Sequence, residues 1–238
     1  VIICDSNIEK LYGKTLINSF LKNNIKCKLI TFPAGEQNKN LSTFHRIHKK
    51  INLFLDRESC IINLGGGVTC DMGGFVAATY MRGIKFIHVP TSLMAMIDAS
   101  IGGKLGVNIL HGKNCVGLFK NPEEIFIDPI LLNSLPDKYW ADGFAEIIKH
   151  ALIKPKSLID LLMDYFDPNK TNSMILMDII LESVKIKLSF VKKDPRENNL
   201  RKNLNFGHTI GHALEEYYSY TGISHGHAVA LGILVSLV

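Results

Sequence analysis

The first half of the chain alternates between two hydrophobic patterns, short continuous apolar runs and segments with apolar residues at helical spacing. Short apolar runs occur at residues 1–4, 27–32, 60–64 and 85–89, and residues 11–21 and 41–54 have apolar side chains at helical spacing. Strands and helices that alternate at these lengths are typical of a parallel sheet covered by helices on both faces. The pattern therefore predicts an α/β domain.

The pattern changes near residues 125–128, and after Ser134-Leu135-Pro136 it is helical only. Apolar spacing predicts helices at residues 139–153, 157–166, 174–191, 200–218 and 228–238. Helices that follow one another without strands indicate a separate all-α domain. We therefore predict an α/β domain over residues 1–133 and a helical domain over residues 134–238.

The composition is that of an ordinary folded protein, with 47% hydrophobic and 21% charged residues and a formal net charge of +5. The basic residues form no stripe interleaved with aromatic residues, so we expect no nucleic-acid partner. No apolar run reaches the ~18 residues of a membrane span, and the first residues lack the pattern of a secretory signal, so we expect no membrane partner. Five cysteines without a CxxC pair predict reduced thiols and a cytoplasmic location. Because the chain lacks an initiator Met and both ends fall within apolar elements, we expect residues to be missing at each end.

A glycine-rich segment, GGGVTCDMGG, occupies residues 65–74, where the third predicted strand leads into a helix. Backbone N–H groups and the helix dipole at such a junction can hold a pyrophosphate, and glycine lets a ligand approach the backbone. The dinucleotide-binding fingerprint is incomplete because Cys70 stands at the third glycine position. Asp5, at a strand end, and Glu36, in a loop, are candidate acids for a ribose hydroxyl. The alternative is a tight turn with two solvated acids.

The segment 91–114 has little helical or strand periodicity but contains two Gly-Lys steps, at Lys104 and Lys113. Asp98 adds a carboxylate, and Asn108 and Asn114 add amide groups. A polar, lysine-bearing loop that follows a parallel strand belongs at the ligand end of the sheet. We therefore favour a ligand-binding loop over the alternative, a long surface hairpin.

Four of the nine histidines lie between residues 205 and 227. His208 and His212 are four residues apart in a helical pattern, so their imidazoles share one face. His225 and His227 follow in a second segment. Histidines from two segments can bind a divalent cation together with a carboxylate. The alternative is an exposed, histidine-rich helix end.

Glu146 can supply that carboxylate. It lies three residues before Lys149 on a helical face that is otherwise apolar, so this pair is predicted to be buried and to differ from an ordinary surface ion pair. Glu146, His208 and His225 would form a site with open positions for substrate oxygens. Three polar residues that precede the histidine cluster are candidates for binding anionic groups: Lys187, Arg201 and Asn205.

Successive motifs resemble, in order and along essentially the whole chain, the blocks of the 3-dehydroquinate synthase family of the shikimate pathway. They are GEQNK (35–39), GGGVTCDMGGF (65–75), RGxxFxxVPT (82–91), DASIGGKLGVN (98–108), HGKN (111–114), AEIIK (145–149), LRKNLNFGHTIGH (200–212) and SHGHAVALG (224–232). No single motif is decisive, but the collinear set is highly specific.

The resemblance implies a nucleotide-binding α/β domain, a helical domain, a homodimer, and two cofactors, NAD and a divalent metal, zinc or cobalt. Position by position, it implies the metal ligands Glu146, His208 and His225. It implies that NAD is contacted by Asp5, Glu36, Lys39, Gly66, Gly67, Asp71, Thr91, Ser92, Lys104 and Lys113. Around the substrate it implies His212, Lys149, Lys104, Asn205, Arg201, Lys187, Arg82, Asp98 and Asn114 as the residues of catalysis.

The implied reaction converts the small sugar phosphate 3-deoxy-D-arabino-heptulosonate 7-phosphate into 3-dehydroquinate and phosphate. Transient oxidation of a ring hydroxyl by NAD precedes phosphate elimination and ring closure, so no net oxidation is expected. The alternatives are another sugar-phosphate cyclase such as 2-deoxy-scyllo-inosose synthase, a metal-dependent polyol dehydrogenase, and an inactive nucleotide-binding scaffold.

Three residues depart from the family pattern. His227 stands where the family has a glutamate, and it would either change the hydrogen bonds around the metal or compete as a ligand. Cys70 replaces a glycine and Leu105 a threonine. These two changes would weaken binding without altering the reaction.

Overall fold

The structure is a computed structural model that describes residues 1–110, 112–154, 157–168, 173–218 and 222–238. Its internal contacts divide it into two units. The first unit consists of Val1–Thr91 and Gly102–Ser134, and the second of Ser92–Ile101 and Leu135–Val238. Among the described residues, no helix combines the length and the apolar character needed to cross a bilayer.

In the first unit, the described residues form seven strands and four α-helices. The strands are β1 Ile2–Asp5, β2 Leu29–Phe32, β3 Cys60–Gly65, β4 Lys85–Pro90, β5 Lys104–Ile109, β6 Gly112–Phe119 and β7 Glu124–Ile125. The helices are α1 Ser6–Ile8, α2 Lys14–Lys22, α3 Leu41–Ile51 and α4 Gly67–Thr79, with a π-helical turn at Glu9–Gly13 and 3-10 turns at Glu36–Asn38, Tyr80–Arg82 and Pro129–Ser134.

Five of these strands form a parallel sheet in the order β2-β1-β3-β4-β7. β1 pairs on both sides, and its residues Ile2, Ile3 and Cys4 are completely buried. A central strand of a covered parallel sheet is buried on both faces, which explains its continuous apolar run. α3 instead buries only one face, through Thr43, Ile47 and Ile51.

The prediction of an aperiodic loop over residues 91–114 is wrong in two places. Ala95–Ala99 is a π-helical turn, and from Lys104 onward β5 and β6 form an antiparallel hairpin, which was the alternative. Glycines in this segment interrupt the sequence periodicity by which a strand is normally predicted. Gly106 pairs with Gly117, and a Cβ atom at either position would meet the backbone of the opposite strand. The two strands therefore approach closely because neither has a side chain there.

The second unit is helical. It contains a π-helical turn at Ala95–Ala99, a 3-10 helix at Leu200–Asn205, and the helices α5 Asp137–Ile153, α6 Ser157–Tyr165, α7 Ser173–Lys193, α8 His208–Tyr217 and α9 His225–Ser236. The predicted fold class, a parallel-sheet α/β domain followed by a helical part, is confirmed.

Two predicted helix boundaries are wrong. The helix expected over residues 200–218 is broken before α8 by Gly207, whose φ of +79° lies in the left-handed region. α9 begins at His225, three residues earlier than residue 228, because Ser224 provides an N-terminal cap by accepting a hydrogen bond from His227 N. Both corrections place a histidine at the first position of a helix.

Candidate functional site

Three helices of the second unit bring the predicted metal ligands together. Glu146 lies on α5, His208 begins α8 and His225 begins α9. One carboxylate oxygen and one nitrogen from each ring lie within 4.8 Å of one another. Glu146 Oε1 is 3.6 Å from His208 Nε2 and 3.7 Å from His225 Nε2. The three side chains thus converge on one point.

Glycines allow α8 and α9 to approach closely enough for this convergence. A Cβ atom at Gly211 on α8 would lie 3.2 Å from backbone atoms of α9. A Cβ atom at Gly232 on α9 would meet the backbone of Gly207. Because no side chain separates the helices at these positions, the rings of His208 and His225 lie with their centroids 5.3 Å apart.

The environment of Glu146 fits a divalent cation. Glu146 and Lys149 are each 1% exposed, and they form an ion pair through Glu146 Oε2. Glu146 Oε1 is buried and makes no hydrogen bond within the described part of the chain, which is costly for a carboxylate oxygen unless another partner satisfies it. One carboxylate and two imidazoles form a donor set that zinc and cobalt accept.

The charge states of this cluster suit a cation. Burial by itself raises the pKa of Glu146, but the Lys149 ammonium and the imidazoles of His208 and His225 together outweigh burial and hold the pKa below its ordinary value. Burial lowers the pKa of His208 to about 4, so its ring is neutral at physiological pH. The site therefore presents a carboxylate and an uncharged imidazole with a free lone pair.

Hydrogen bonds orient both imidazoles. His208 Nδ1 lies 3.2 Å from the carbonyl oxygen of Phe206, and His225 Nδ1 lies 3.2 Å from Glu215 Oε1. Since both oxygens only accept, each Nδ1 carries the proton and each Nε2 turns its lone pair toward Glu146.

Glu215 is not among the residues predicted from the sequence. It is 4% exposed and lies on α8 seven residues after His208. An acid at that helical spacing falls on the histidine-bearing face, and this signal could have identified it.

His212 shares this face of α8. Its ring centroid is 5.3 Å from that of His208 and 6.1 Å from that of His225, and its Nε2 is 4.0 Å from Glu215 Oε2. The side chain of His212 is 57% exposed. The structure therefore places this predicted proton-transfer residue beside the metal ligands but at the surface of the second unit.

A second charged cluster surrounds Asp98, which lies in the π-helical turn. Its carboxylate pairs with Lys187 on α7, and its Oδ1 is 3.7 Å from His150 Nε2 on α5. Burial by itself raises the pKa of Asp98, but the Lys187 and Lys149 ammonium groups and His150 together outweigh burial and keep the pKa well below its ordinary value. His150, which was not predicted, also lies 2.7 Å through Nδ1 from Ser183 Oγ. Asp98 is thus fixed in place by two buried partners, Lys187 and His150.

Arg201 and Asn205, the other predicted anion-binding residues, lie on one 3-10 helix. Arg201 is 1% exposed, and its Nη1 donates to the carbonyl of Pro195 at 2.7 Å. Asn205 is exposed and donates to Glu197 Oε1 at 2.5 Å. The structure therefore places the two residues in different environments, one buried and one at the surface.

His227 lies in the first turn of α9 but outside the metal cluster. It belongs to none of the groups of possible metal ligands among the described residues. Its Nδ1 is 2.7 Å from Ser224 Oγ. Of the two sequence-based hypotheses for this residue, the geometry favours altered hydrogen bonding over competition as a ligand.

Several predicted nucleotide-binding residues meet at one edge of the sheet in the first unit. The carboxyl ends of parallel strands share one edge. Asp5 ends β1, Gly66 and Gly67 lead from β3 into the 13-residue α4, and Thr91 follows β4 and donates its N–H to the carbonyl of Gly65 at 3.0 Å. The N-terminus of α4 therefore opens at this edge with its N–H groups and dipole.

Asp5 also has a local role that was not predicted. Its Oδ1 accepts hydrogen bonds from the backbone of Asn7 at 2.8 Å and of Ile8 at 3.2 Å. The carboxylate thus caps α1 through Oδ1.

A polar cluster near this edge includes four predicted residues. Lys39 is 3% exposed, pairs with Asp71 and donates to Asn114 Oδ1 at 2.5 Å. Burial by itself lowers the pKa of Lys39, but the Asp71 and Glu36 carboxylates together outweigh burial and raise the pKa. Glu36 Oε1 accepts from Asn108 Nδ2 at 2.9 Å. The cluster holds its charges in fixed positions.

Other predicted residues are dispersed. Arg82 ends a 3-10 turn, and Lys104 and Lys113 lie toward opposite ends of the β5–β6 hairpin. Ser92 belongs to the second unit, where its Oγ accepts from Ala95 N at 3.4 Å. His111, the first residue of the HGKN motif, lies outside the described residues.

Two protein-family models match consecutive parts of the chain. The model described as "3-dehydroquinate synthase N-terminal" matches residues 29–142, and "3-dehydroquinate synthase C-terminal" matches residues 143–238. The 3-dehydroquinate synthase of Clostridium kluyveri is 47% identical over 234 residues, which is 98% of this chain and 65% of that protein. The chain thus spans less than two thirds of that relative's length.

Solved structures of two synthases are similar to this fold. A 2-epi-5-epi-valiolone synthase from Streptomyces hygroscopicus, with NAD+ and Zn2+ bound, has a TM-score of 0.89 at 28% identity over 98% of this chain and 66% of its own. A 2-deoxy-scyllo-inosose synthase, complexed with carbaglucose-6-phosphate, NAD+ and Co2+, has a TM-score of 0.86 at 31% identity over 98% of this chain and 64% of its own.

Proposed function

This chain belongs to the 3-dehydroquinate synthase family, and from that premise we propose that the protein converts 3-deoxy-D-arabino-heptulosonate 7-phosphate into 3-dehydroquinate and inorganic phosphate. The family predicted from the motifs is confirmed by both family models. The observation that carries the proposed activity is the convergence of Glu146, His208 and His225 around a buried carboxylate oxygen without a hydrogen bond in the described chain.

The proposed cofactors are NAD and one divalent cation, zinc or cobalt. When bound, NAD would take up and return a hydride, and the cation would polarise the substrate hydroxyls and so ease loss of the proton. Glu146 would hold the cation through Oε1, and His208 and His225 would hold it through Nε2. The cyclases of similar fold were solved with NAD+ and Zn2+ or Co2+, which supports this choice.

The buried lysines would bind and orient the anionic groups of the substrate. Lys149 is fixed by Glu146, and Lys187 by Asp98. Because each ammonium is already held by a carboxylate in a buried environment, little reorganisation is needed when substrate arrives. Arg201 adds a third cationic group. Three cationic groups suit a substrate that carries a carboxylate as well as a phosphate, and this favours the heptulosonate over a sugar phosphate that lacks the carboxylate.

His212 would transfer the proton in this scheme. Its ring packs edge-on against His208 at a centroid distance of 5.3 Å, while more than half of the side chain is exposed. A histidine in this position can pass a proton between bound substrate and solvent near neutral pH.

Phosphate release tests the proposal. We expect full-length protein with NAD and Zn2+ to release phosphate from the heptulosonate phosphate without accumulating NADH. Glu146→Ala and His208→Ala should abolish release, and Glu216→Ala, which changes an exposed acid on α8, should leave it intact.

Three results would overturn the proposal. Stoichiometric NADH would identify a polyol dehydrogenase. Faster phosphate release from a sugar phosphate without a carboxylate would identify another cyclase. NAD binding without turnover would identify a scaffold.

We further propose that the enzyme is cytoplasmic and acts as a homodimer. All five cysteines are free thiols in the structure, which is expected for a reducing compartment. The dimer rests on the family resemblance, and sedimentation equilibrium of the full-length protein tests it.

A further inference from the structure

A chain of hydrogen bonds outside the ligand set joins α5 to the first turn of α9. Asp142 Oδ1 accepts from Ser224 Oγ at 2.5 Å and from Gly226 N at 2.9 Å. Ser224 Oγ in turn lies 2.7 Å from His227 Nδ1. Asp142 is 6% exposed. A buried carboxylate that accepts from a hydroxyl and a backbone N–H makes charge-assisted bonds, which are stronger than neutral ones.

The direction of these bonds follows from the available protons. The hydroxyl of Ser224 has a single proton, which it donates to Asp142. Its oxygen must therefore accept from His227 Nδ1–H. Donation by His227 polarises the hydroxyl and strengthens its bond to Asp142. The three side chains thus act as one connected unit that ends on α5.

The position of Asp142 relates this unit to the candidate cation site. Asp142 lies four residues before Glu146, so both side chains are on the same face of α5. The two groups that Asp142 binds belong to the residues immediately before and after His225. A Cβ atom at Gly226 would meet Asp142, so the absence of a side chain there permits the contact.

We propose that Asp142 is a positioning residue for the cation site. By fixing the first turn of α9 against α5, its carboxylate sets the separation between His225 Nε2 and Glu146 Oε1. Ser224 and His227 complete the connection. The inference rests on the proposed cation-dependent function, since a site without a cation would gain nothing from this alignment.

Zinc affinity of the apo-protein, measured by competition with a chromogenic chelator, tests the inference. Asp142→Ala should weaken zinc binding by about 10–100-fold, the usual effect of losing a residue that orients a metal ligand. Asp142→Asn should restore most of the affinity, because its amide oxygen can accept both hydrogen bonds. Ser224→Ala should give an intermediate loss.

A matched control separates positioning from helix stability. Asp128 is exposed in the first unit, where its Oδ1 accepts from Ile130 N at 3.0 Å. Asp128→Ala also removes a carboxylate that accepts from a backbone N–H, and it should leave zinc affinity at the wild-type value. The visible spectrum of the Co2+-substituted protein gives a second readout, since it reports ligand geometry. It should change in Asp142→Ala and return toward wild type in Asp142→Asn.

Wild-type zinc affinity and an unchanged Co2+ spectrum in folded Asp142→Ala would overturn the inference. If Asp142→Ala does not fold, unchanged zinc affinity in Ser224→Ala would overturn it instead. These outcomes differ from a failure of the proposed function, in which the wild-type protein itself would bind no zinc or release no phosphate.

Discussion

Replacing Glu215 perturbs the cation site while all three proposed ligands remain in the sequence. Glu215 Oε1 lies 3.2 Å from His225 Nδ1, and the opposite nitrogen of the same ring lies 3.7 Å from Glu146 Oε1. In Glu215→Ala, the Nδ1–H group loses its acceptor. The ring is then free to rotate or to move its proton to Nε2, and either change removes the lone pair that faces Glu146.

The expected magnitude follows from the burial of this hydrogen bond. Glu215 is 4% exposed, so water replaces the lost carboxylate poorly. Loss of an acceptor behind a metal-bound histidine weakens metal binding by about 10–100-fold, which corresponds to about 1.4–2.7 kcal/mol. Glu215→Gln keeps an oxygen acceptor but loses the charge, so its effect should be smaller, about tenfold.

Isothermal titration of the apo-proteins with Zn2+ measures this difference, and thermal unfolding without zinc shows whether the variants are folded. Glu216 is the matched control, because it is the next residue of the same helix and is exposed. The reasoning is refuted if Glu215→Ala and Glu216→Ala bind zinc equally tightly while both remain folded.

Two further predictions concern the first unit. Burial lowers the pKa of His88 from 6.5 to about 4, so the unfolded chain takes up this proton more readily than the folded one, and stability should fall as pH decreases from about 6.5 to 4 by up to about 3 kcal/mol. In urea denaturation, the free energy of unfolding of His88→Gln should fall less over that pH range than that of the wild type. His45→Gln, which changes an exposed residue, should behave as wild type. Lys39→Met should weaken NAD binding by about tenfold, or ~1.4 kcal/mol, because the carboxylate paired with Lys39 would then repel the pyrophosphate. Fluorescence titration with NAD measures the affinity, and Lys49→Met, which changes an exposed residue of α3, is the control. Equal NAD affinities of Lys39→Met and Lys49→Met would contradict the prediction.

The sequence indicated which residue types gather at the site, because that information is local. Four histidines within 23 residues and an acid on an apolar helical face could be identified from spacing alone. The alternation of apolar runs likewise indicated the parallel sheet, since a strand buried on both faces cannot contain regularly spaced polar residues. These features depend on the period of one element and need no knowledge of its neighbours.

The orientation of the site's side chains, such as the imidazole of His225, could not be predicted in the same way. Glu215 and Asp142 act on His225 from α8 and α5, which are separated from it by 10 and 83 residues along the chain. In the sequence, Gly207 resembles an interruption that a helix could tolerate. In the structure, the 3-10 segment ends at Asn205, and Gly207, with a φ of +79°, precedes the start of α8 at His208. Such contacts depend on how helices pack, and a single sequence does not report packing.

The charged side chains paired within the second unit support the functional role that we propose for these positions. Glu146, Lys149 and Lys187 are buried in the helical unit, the side chain of Asp98 is 23% exposed, and each of the four is paired with an opposite charge. Buried ion pairs add little net stability compared with apolar side chains of similar size, because desolvation opposes their attraction. Stability alone therefore does not account for two such pairs on adjoining helices.

A charged substrate and a cation would use all four groups, since a fixed, water-poor array of charges binds anions and metal ions without first having to reorganise. On this reasoning the helical unit is less stable than an apolar one would be, but its site is preorganised. The glycines between α8 and α9 have a similar effect: they remove side-chain packing, and the two helices can therefore lie close together.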